Sequence, residues 1–430
     1  MNVYQRCLLL LGPVILGIAL SHSVFAAPVE LTLDDSIALA LKNNYDIKYA
    51  KASREKSYWA WKEAQKNKGV SVTYTHTDER YNTPPTSYSS TYTYTNDFDN
   101  QLALTLPIYS GGKLESQIEQ AKLDLTVADL DIEATKQQLR QTIITDYFTV
   151  LEYHNEVQVD QDTVKNYEDH LNLVNQKFDL GMVAKTDILS SQVNLAKAQD
   201  TLIKAQNNYN NAVAALNNAI CLSHDTELKL KDDFKYEKYS STLEECLQYA
   251  VTHRPEIAQY KAKVASAQDD VKIAKSGYLP TVDLTAEQDW YDSHLPGSQN
   301  SNWLLKLTTS WNIFDSGLTG AKIKQAQHNV DMVSDKADQE HDSILLSVRQ
   351  YYLSMHEAEK RIGTNKVSVD QAEENVMIEK AKYETGVGTN LDLLDAILSL
   401  DSAKKDYIQA LYDYNTNKAE LETAMGVSAK

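Results

Sequence analysis

The run from Lys113 to Asp179 contains neither proline nor glycine. A continuous helix of about 67 residues, at a rise of ~1.5 Å per residue, would be about 100 Å long. The usual helix has only about 11–12 residues, so this element dominates whatever the chain folds into. Its apolar residues recur in the steps of four and three that are typical of coiled coils. They include Leu114, Ile118, Ala121, Leu125, Ala128, Ile132, Leu139, Val150, Tyr153, Val157, Val164, Tyr167, Leu171, Val174 and Phe178.

The same pattern recurs at a constant offset in the second half of the chain. Both copies contain an inserted four-residue step, which locally unwinds a left-handed supercoil. The polar interruptions also coincide, since Thr135 corresponds to Glu340 and Asp160 to Asn365. Two long amphipathic helices could look alike by chance, but matching interruptions favour an internal duplication. The sequence therefore predicts repeat 1 over residues 27–220, a linker over 221–241 and repeat 2 over 242–426.

Each repeat contains two segments in which apolar and polar residues alternate. They predict β-hairpins over residues 69–109 and 279–314. Each strand has about ten residues with one apolar face, which is the length and period of an outer-membrane barrel strand. A soluble sheet that packs on a core is the alternative, but no other layer is predicted to cover the apolar face. Aromatic residues such as Trp290, Trp303 and Trp311 lie near strand ends, as in an interfacial girdle. Residues 78–97 are predicted to form a polar external loop.

Each repeat is thus predicted to contain, in this order, short helices, a hairpin, a very long helix, a glycine-bearing turn and a returning helix. The long helices are predicted over residues 113–179 and 319–384, and the returning helices over 186–219 and 390–424. Four strands cannot close a barrel in lipid, where open sheet edges are not tolerated. The chain must therefore oligomerise, and a dimer with eight strands or a trimer with twelve would both satisfy this requirement.

The N-terminal residues and the overall charge indicate the compartment and the excluded partners. Residues 1–26 are typical of a cleaved secretory signal, with Arg6, an apolar run over residues 8–20 and Ala26 at the cleavage site. The chain has 60 acidic and 42 basic residues, a net charge of −18. That balance disfavours nucleic acid and anionic membrane surfaces as partners. Cys221 and Cys246 flank the linker and could either form a disulfide or remain free thiols.

We found no sequence motif that predicts catalysis. The histidines show no metal-ligand spacing, and there is no glycine-rich phosphate loop, nucleophile elbow or zinc-protease motif. The acidic residues lie mostly at the flanking positions of coiled-coil helices, where solvated charge is usual. We therefore expect no enzymatic activity, no cofactor and no metal site.

Two segments at the ends of the long helices carry a resemblance to a known family. Residues 181–187 (GMVAKTD) and 391–396 (LDLLDA), together with the duplicated hairpins, resemble the TolC family of outer-membrane efflux proteins, or outer membrane factors. The resemblance implies a mixed, mainly α fold: a trimer with a 12-stranded outer-membrane β-barrel continuous with a 12-helix periplasmic tunnel. Residues 221–241 would belong to an equatorial belt around the tunnel.

The family resemblance also implies a function and partners. It implies export through the outer membrane, with a periplasmic adaptor and an inner-membrane transporter of the RND, ABC or MFS type. The signal would be removed, the barrel would contact outer-membrane lipid and the helices would extend into the periplasm. The alternative is a trimeric, barrel-anchored coiled-coil stalk that transports nothing. That alternative does not explain the returning helices or the glycine turns.

The resemblance further implies roles for residues at the helix ends. Thr186, Asp187 and Tyr383 would belong to the network that closes the tunnel, while Asp392 and Asp395 would form its acidic constriction. Alternatively, these two carboxylates are solvated or pair with Lys404 or Lys405. The adaptor would dock at the tip residues, namely Gly181, Met182, Val183, Ala184, Gly386, Val387, Gly388 and Thr389. The family's closing arginine is replaced here by Gly388, and Lys185 is a candidate substitute.

Overall fold

The computed structural model describes residues 29–85 and 91–428. The predicted signal, residues 1–26, lies outside the described residues. The first half contains β1 (Val29–Leu31), α1 (Leu33–Asn43), α2 (Tyr45–Lys66), β2 (Ser71–Thr83), β3 (Thr93–Tyr109), α3 (Lys113–Asp179) and α4 (Lys185–Ala219). The second half contains β4 (Leu228–Leu230), α5 (Leu243–His253), α6 (Pro255–Lys275), β5 (Thr281–Asp292), β6 (Asn300–Ser310), α7 (Leu318–Thr385) and α8 (Asn390–Met425).

The two long helices, α3 and α7, begin in the same way. Each follows a glycine in the left-handed region, Gly112 with φ 83° and Gly317 with φ 87°. Residues with a Cβ rarely adopt this backbone conformation, so glycine allows the sharp turn from strand to helix. None of the helices in the described part of the chain is both long and apolar enough to cross a membrane.

The long helices form two stacked layers. In the layer next to the sheet, the order of packed helices is α2–α3–α6–α7. In the distal layer, the order is α4–α3–α8–α7, because α3 packs on both α4 and α8 and α7 packs on α8. Each layer therefore has one edge helix from repeat 1 and one from repeat 2.

The strands form an antiparallel sheet in the order β2–β3–β5–β6. Apolar side chains on one face are exposed, including Val72, Leu102, Trp303, Leu305 and Leu307. Polar residues such as Thr73, Gln101 and Asp289 alternate with them on the other face. The sheet thus presents a large apolar surface that no other element in the described part of the protomer covers.

The prediction of a loop over residues 78–97 was wrong for most of that segment. β2 and β3 stay paired from Asp78 opposite Phe98 to Thr83 opposite Thr93. The segment is rich in threonine and tyrosine, which favour the extended conformation despite their polarity. The second hairpin ends earlier than predicted, since β6 stops at Ser310 and leaves Trp311 and Phe314 outside the strand.

Short elements pack against the middle of the long helices, α1 on α3 and α5 on α7. The short strands β1 and β4 pair in parallel, which attaches residues 228–230 of the linker to the N-terminal segment. Ile143 and Tyr147 of α3 and Leu216 of α4 are fully buried in the core below them. The Tyr147 hydroxyl donates a hydrogen bond of 3.0 Å to Asp232 of the linker. Cys221 and Cys246 are both free thiols, and Cys246 is buried.

Candidate functional site

The turns at the distal ends of the long helices depend on glycine. α3 ends before Gly181, which has φ 71°, and α7 ends at Gly386, which has φ 81°. Both glycines adopt the left-handed conformation that commonly terminates a helix. Gly388 is required for a different reason, because a Cβ there would lie 2.9 Å from the Cβ of Lys382. The backbone geometry of the turns therefore accounts for all three glycines, independently of any partner that binds there.

Helix α8 starts at a capping box, in which side chains satisfy free N–H groups of the first turn, whereas α4 has only the half of it that Asp187 supplies. In α8, the Asp392 carboxylate accepts hydrogen bonds from the hydroxyl of Thr389 at 2.6 Å and from its backbone N–H at 3.3 Å. These bonds lower the pKa of Asp392 below its ordinary value. In α4, the Asp187 carboxylate accepts from the backbone N–H of Ala184 at 3.2 Å.

An apolar cluster below the turns joins the two repeats. Tyr167 and Val174 of α3 contact buried residues of the second repeat, among them Tyr383 of α7 and Leu393 and Leu394 of α8. Tyr383 is only 3% exposed. The distal end of the protomer is thus a packed four-helix core rather than two independent hairpins.

Asn390 lies at the centre of a polar cluster inside this core. Its side-chain oxygen accepts a hydrogen bond of 2.6 Å from Nε2 of His170 and one of 3.3 Å from the hydroxyl of Ser191. Its side-chain nitrogen donates to the Ser190 hydroxyl at 2.9 Å and to the Asp187 carbonyl oxygen at 3.5 Å. One residue of α8 therefore contacts both α3 and α4 of the first repeat.

Lys177 forms the second polar connection between the repeats. Its ammonium group is buried and donates to the carbonyl oxygens of Tyr383 and, at 3.3 Å, Glu384. The same group lies 4.6 Å from the centroid of the Tyr383 ring, within the range of a cation–π interaction. The lysine thus interacts with the last carbonyl groups of α7, where a positive charge is favourable.

His170 lies in a site that opposes protonation. Its ring packs edge-on against Tyr383 with a centroid distance of 5.0 Å, and its Nδ1 is buried without a hydrogen-bond partner in the described structure. Burial lowers the pKa of the imidazole below its ordinary value, although the bond to Asn390 acts in the opposite direction. Because the Asn390 oxygen can only accept, Nε2 carries the proton in the neutral ring.

The predicted gate residues occupy different environments. Burial and, to a lesser extent, the nearby charge of Asp187 raise the pKa of the Tyr383 phenol, and its hydroxyl has no hydrogen-bond partner in the described structure. Thr186 and Asp395 are exposed. Neither acidic residue of the predicted constriction pairs with the lysines considered as alternatives. Lys404 instead contacts Glu373 at 2.9 Å, and Lys405 contacts Asp160 at 2.6 Å.

Most of the predicted docking residues lie on the surface of the tips. Met182 and Val387 are 62% and 81% exposed, and Leu180 and Leu391 beside them are also exposed. Ala184 and Thr389 are exposed, whereas Val183 is half-buried. The two turns therefore present several apolar side chains to the surroundings of the protomer.

Sequence reasoning missed His170, Lys177 and Asn390. It assigned Leu171, Val174 and Phe178 to the coiled-coil core, but the structure buries Val174 together with His170 and Lys177 rather than with Leu171 and Phe178. Phe178 is 39% exposed. The spacing of Tyr167, His170, Val174 and Lys177 is also in steps of three and four, so a reading that admitted polar core residues could have found them.

Comparison with known proteins identifies the family. A family model described as outer membrane efflux protein matches residues 36–221 and 246–427, one segment for each repeat. The chain belongs to this family. The finding confirms the resemblance to the TolC family, and it places the chain among outer-membrane efflux channels rather than enzymes.

Individual members of the family resemble the chain along most of its length. The outer membrane protein TolC of Escherichia coli is 25% identical over 369 residues, which cover 80% of this chain and 74% of TolC. The alkaline protease secretion protein AprF of Pseudomonas aeruginosa is 24% identical over 340 residues, covering 77% and 70% of the two chains.

Solved structures of outer-membrane channels share the fold. The channel OprN aligns with a TM-score of 0.82 at 17% identity and covers 92% of this chain and 90% of its own. The CmeC channel of Campylobacter jejuni aligns with a TM-score of 0.81 at 19% identity, covering 92% and 85%.

Proposed function

We propose that this chain is the outer-membrane channel of a tripartite efflux or type I secretion system. Substrates would pass from an inner-membrane transporter and a periplasmic adaptor to the cell exterior. One observation carries the proposal: within the described residues, the four-stranded sheet and both helical layers each have two free edges, one from each repeat. The sheet ends in β2 and β6, and the distal helical layer ends in α4 and α7.

The free helical edges are apolar. On α4, Leu189, Val193 and Ile203 are exposed, and on α7, Leu346, Leu353 and Val367 are exposed at heptad spacing. Because the two edges differ, contact between copies is head-to-tail, and such contacts can close a ring. In the sheet, β6 would pair antiparallel with β2 of the next copy, which removes both open edges from the lipid.

Three copies give a 12-stranded barrel above a 12-helix tunnel, as the family resemblance implies. The exposed apolar face of the sheet would contact outer-membrane lipid, and the helical tips would lie in the periplasm. Residues 1–26 would be removed as a signal during export. Residues 221–241 would form part of the belt around the tunnel, between the repeats over 27–220 and 242–426.

The tips are the proposed site of the adaptor and the gate. The exposed apolar residues Met182 and Val387, with Leu180 and Leu391, offer a surface for adaptor hairpins beside the turns. The transporter would be of the RND, ABC or MFS type. Names among the relatives include a protease secretion protein and a probable efflux pump protein, so both kinds of cargo suit this design.

Asp395 is the better of the two candidates for the constriction, because Asp392 is bound in its capping box. Three Asp395 carboxylates near one axis would attract cations at the narrowest point. We expect Asp395→Ala to give an intact trimer with reduced preference for cations and weaker block by multivalent cations from the periplasmic side. Single-channel recordings in planar bilayers measure both quantities.

Asp370→Ala is the matched control, since Asp370 is an exposed carboxylate on α7, 15 residues before the helix ends at Thr385. It should leave the selectivity as in the wild type. If Asp395→Ala also leaves selectivity and block unchanged, Asp395 does not line the pore.

A further inference from the structure

Five side chains connect the two repeats at the distal tip, and sequence reasoning assigned none of them to the gate: His170, Lys177, Ser190, Ser191 and Asn390. Asn390 of α8 bonds to His170 of α3 and to Ser191 of α4, and Lys177 of α3 bonds to the end of α7. These are contacts between residues of one chain. A tunnel that opens at its tips by moving one hairpin relative to the other has to break them.

We propose that these contacts form a lock within each protomer, in which Asn390 and Lys177 hold the α7–α8 hairpin against the α3–α4 hairpin, and that acidification releases the lock through His170. The inference rests on the proposed gate at the tips. In the family, an arginine at the position of Gly388 would help to close the tunnel. The proposed lock assigns this closing role to Asn390 and Lys177 within each protomer.

Lys177 fits this role better than Lys185, the substitute that the sequence suggested. Lys177 is buried and contacts the backbone and the ring of Tyr383. Lys185 is exposed at the start of α4, and in the described structure its side chain makes no ion pair or hydrogen bond. A buried ammonium group without hydrogen-bond acceptors costs free energy, so the Lys177 contacts stabilise the packing of the two hairpins against each other.

The chemistry of His170 makes the lock sensitive to pH. Protonation would add a hydrogen to Nδ1, which is buried and faces no acceptor in the described structure. Among titratable groups, Tyr383 packs against the imidazole, and Tyr167 and Lys177 lie on the same helix. Asp187 lies near Tyr383, and Asp401 and Asp395 lie near Tyr167. In the described structure, none of these three carboxylates lies within ion-pair distance of the imidazole.

The direction of the pH effect follows from the lowered pKa of His170. The locked state favours the neutral ring. The contribution of His170 to the stability of the locked state is therefore fully present above the ordinary imidazole pKa of about 6.5. That stability is lost as the pH falls through the lowered pKa. For each titrating protomer, the ratio of unlocked to locked tips should therefore rise by up to about tenfold for every unit by which the pH falls in this range.

The test is the single-channel conductance of the purified trimer in planar bilayers between pH 5 and pH 8. We expect the wild type to conduct weakly at pH 7.5 and more strongly in acid. Asn390→Leu should conduct strongly at every pH, whereas Lys177→Met should conduct more than the wild type at pH 7.5. His170→Gln keeps a donor but cannot titrate, so it should lose the acid response. Lys185→Met is the control and should behave as the wild type.

The outcomes separate the lock from the proposed function. A wild type that conducts equally at all pH values, with Asn390→Leu and Lys177→Met unchanged, would overturn the lock and leave the channel intact. An acid response that persists in His170→Gln would overturn the role of His170. The wild-type pH series needs no variant, so a variant that fails to form trimers does not remove the test.

Discussion

Leu353→Asp should prevent assembly, leaving the protein monomeric in mild detergent. Leu353 is 58% exposed in the protomer and lies on the free edge of α7, where the proposed trimer buries it against α4 of the next copy. A carboxylate placed there would lose its hydration without gaining a partner, a cost of several kcal/mol at each of three interfaces. Light scattering combined with size exclusion measures the mass directly.

Ser354→Asp is the matched control for the assembly prediction. Ser354 is the next residue along α7 and is also exposed, but it points about 100° away around the helix. It should give a normal trimer. A stable trimer of Leu353→Asp would show that this edge of α7 is not the subunit interface.

Ala184→Trp should reduce export to background while leaving the trimer intact. Ala184 is exposed at the first turn, and its contribution to the cap is its backbone N–H, which any residue except proline supplies. The indole would occupy the space in which an adaptor hairpin is proposed to dock. The measurement is substrate export in cells that depend on this channel, together with trimer yield.

Ala184→Ser tests the same position with a small side chain and should export normally. Normal export by Ala184→Trp would place the adaptor elsewhere. Gly388→Trp does not provide an equivalent test, because even a Cβ at Gly388 would crowd Lys382 and Tyr383 and distort the turn itself.

The periodic parts of this structure could be predicted from the sequence because their determinants are local. The absence of breakers over residues 113–179 matches α3, which runs from Lys113 to Asp179. The alternation of apolar and polar residues similarly identified the strands. The extension of β2 and β3 was missed because polar threonine and tyrosine were read as loop residues, although their side chains favour strands.

The polar cluster at the tips could not be predicted because its partners are distant in sequence. His170 and Asn390 are separated by 220 residues, and their contact exists only after the two repeats pack together. The pairing of β1 with β4 has the same origin. A periodicity analysis that expects apolar core residues passes over a buried histidine or lysine, which is stabilised by such long-range partners.

The most direct test of the central claim is the current carried by the purified wild-type trimer after insertion into a planar bilayer. A conduit that is closed at its tips predicts discrete, stepwise ion currents that are small at neutral pH and larger in Asn390→Leu. A trimer that inserts normally yet passes no current, either as wild type or as Asn390→Leu, would contradict a channel and identify the protein as an anchored stalk.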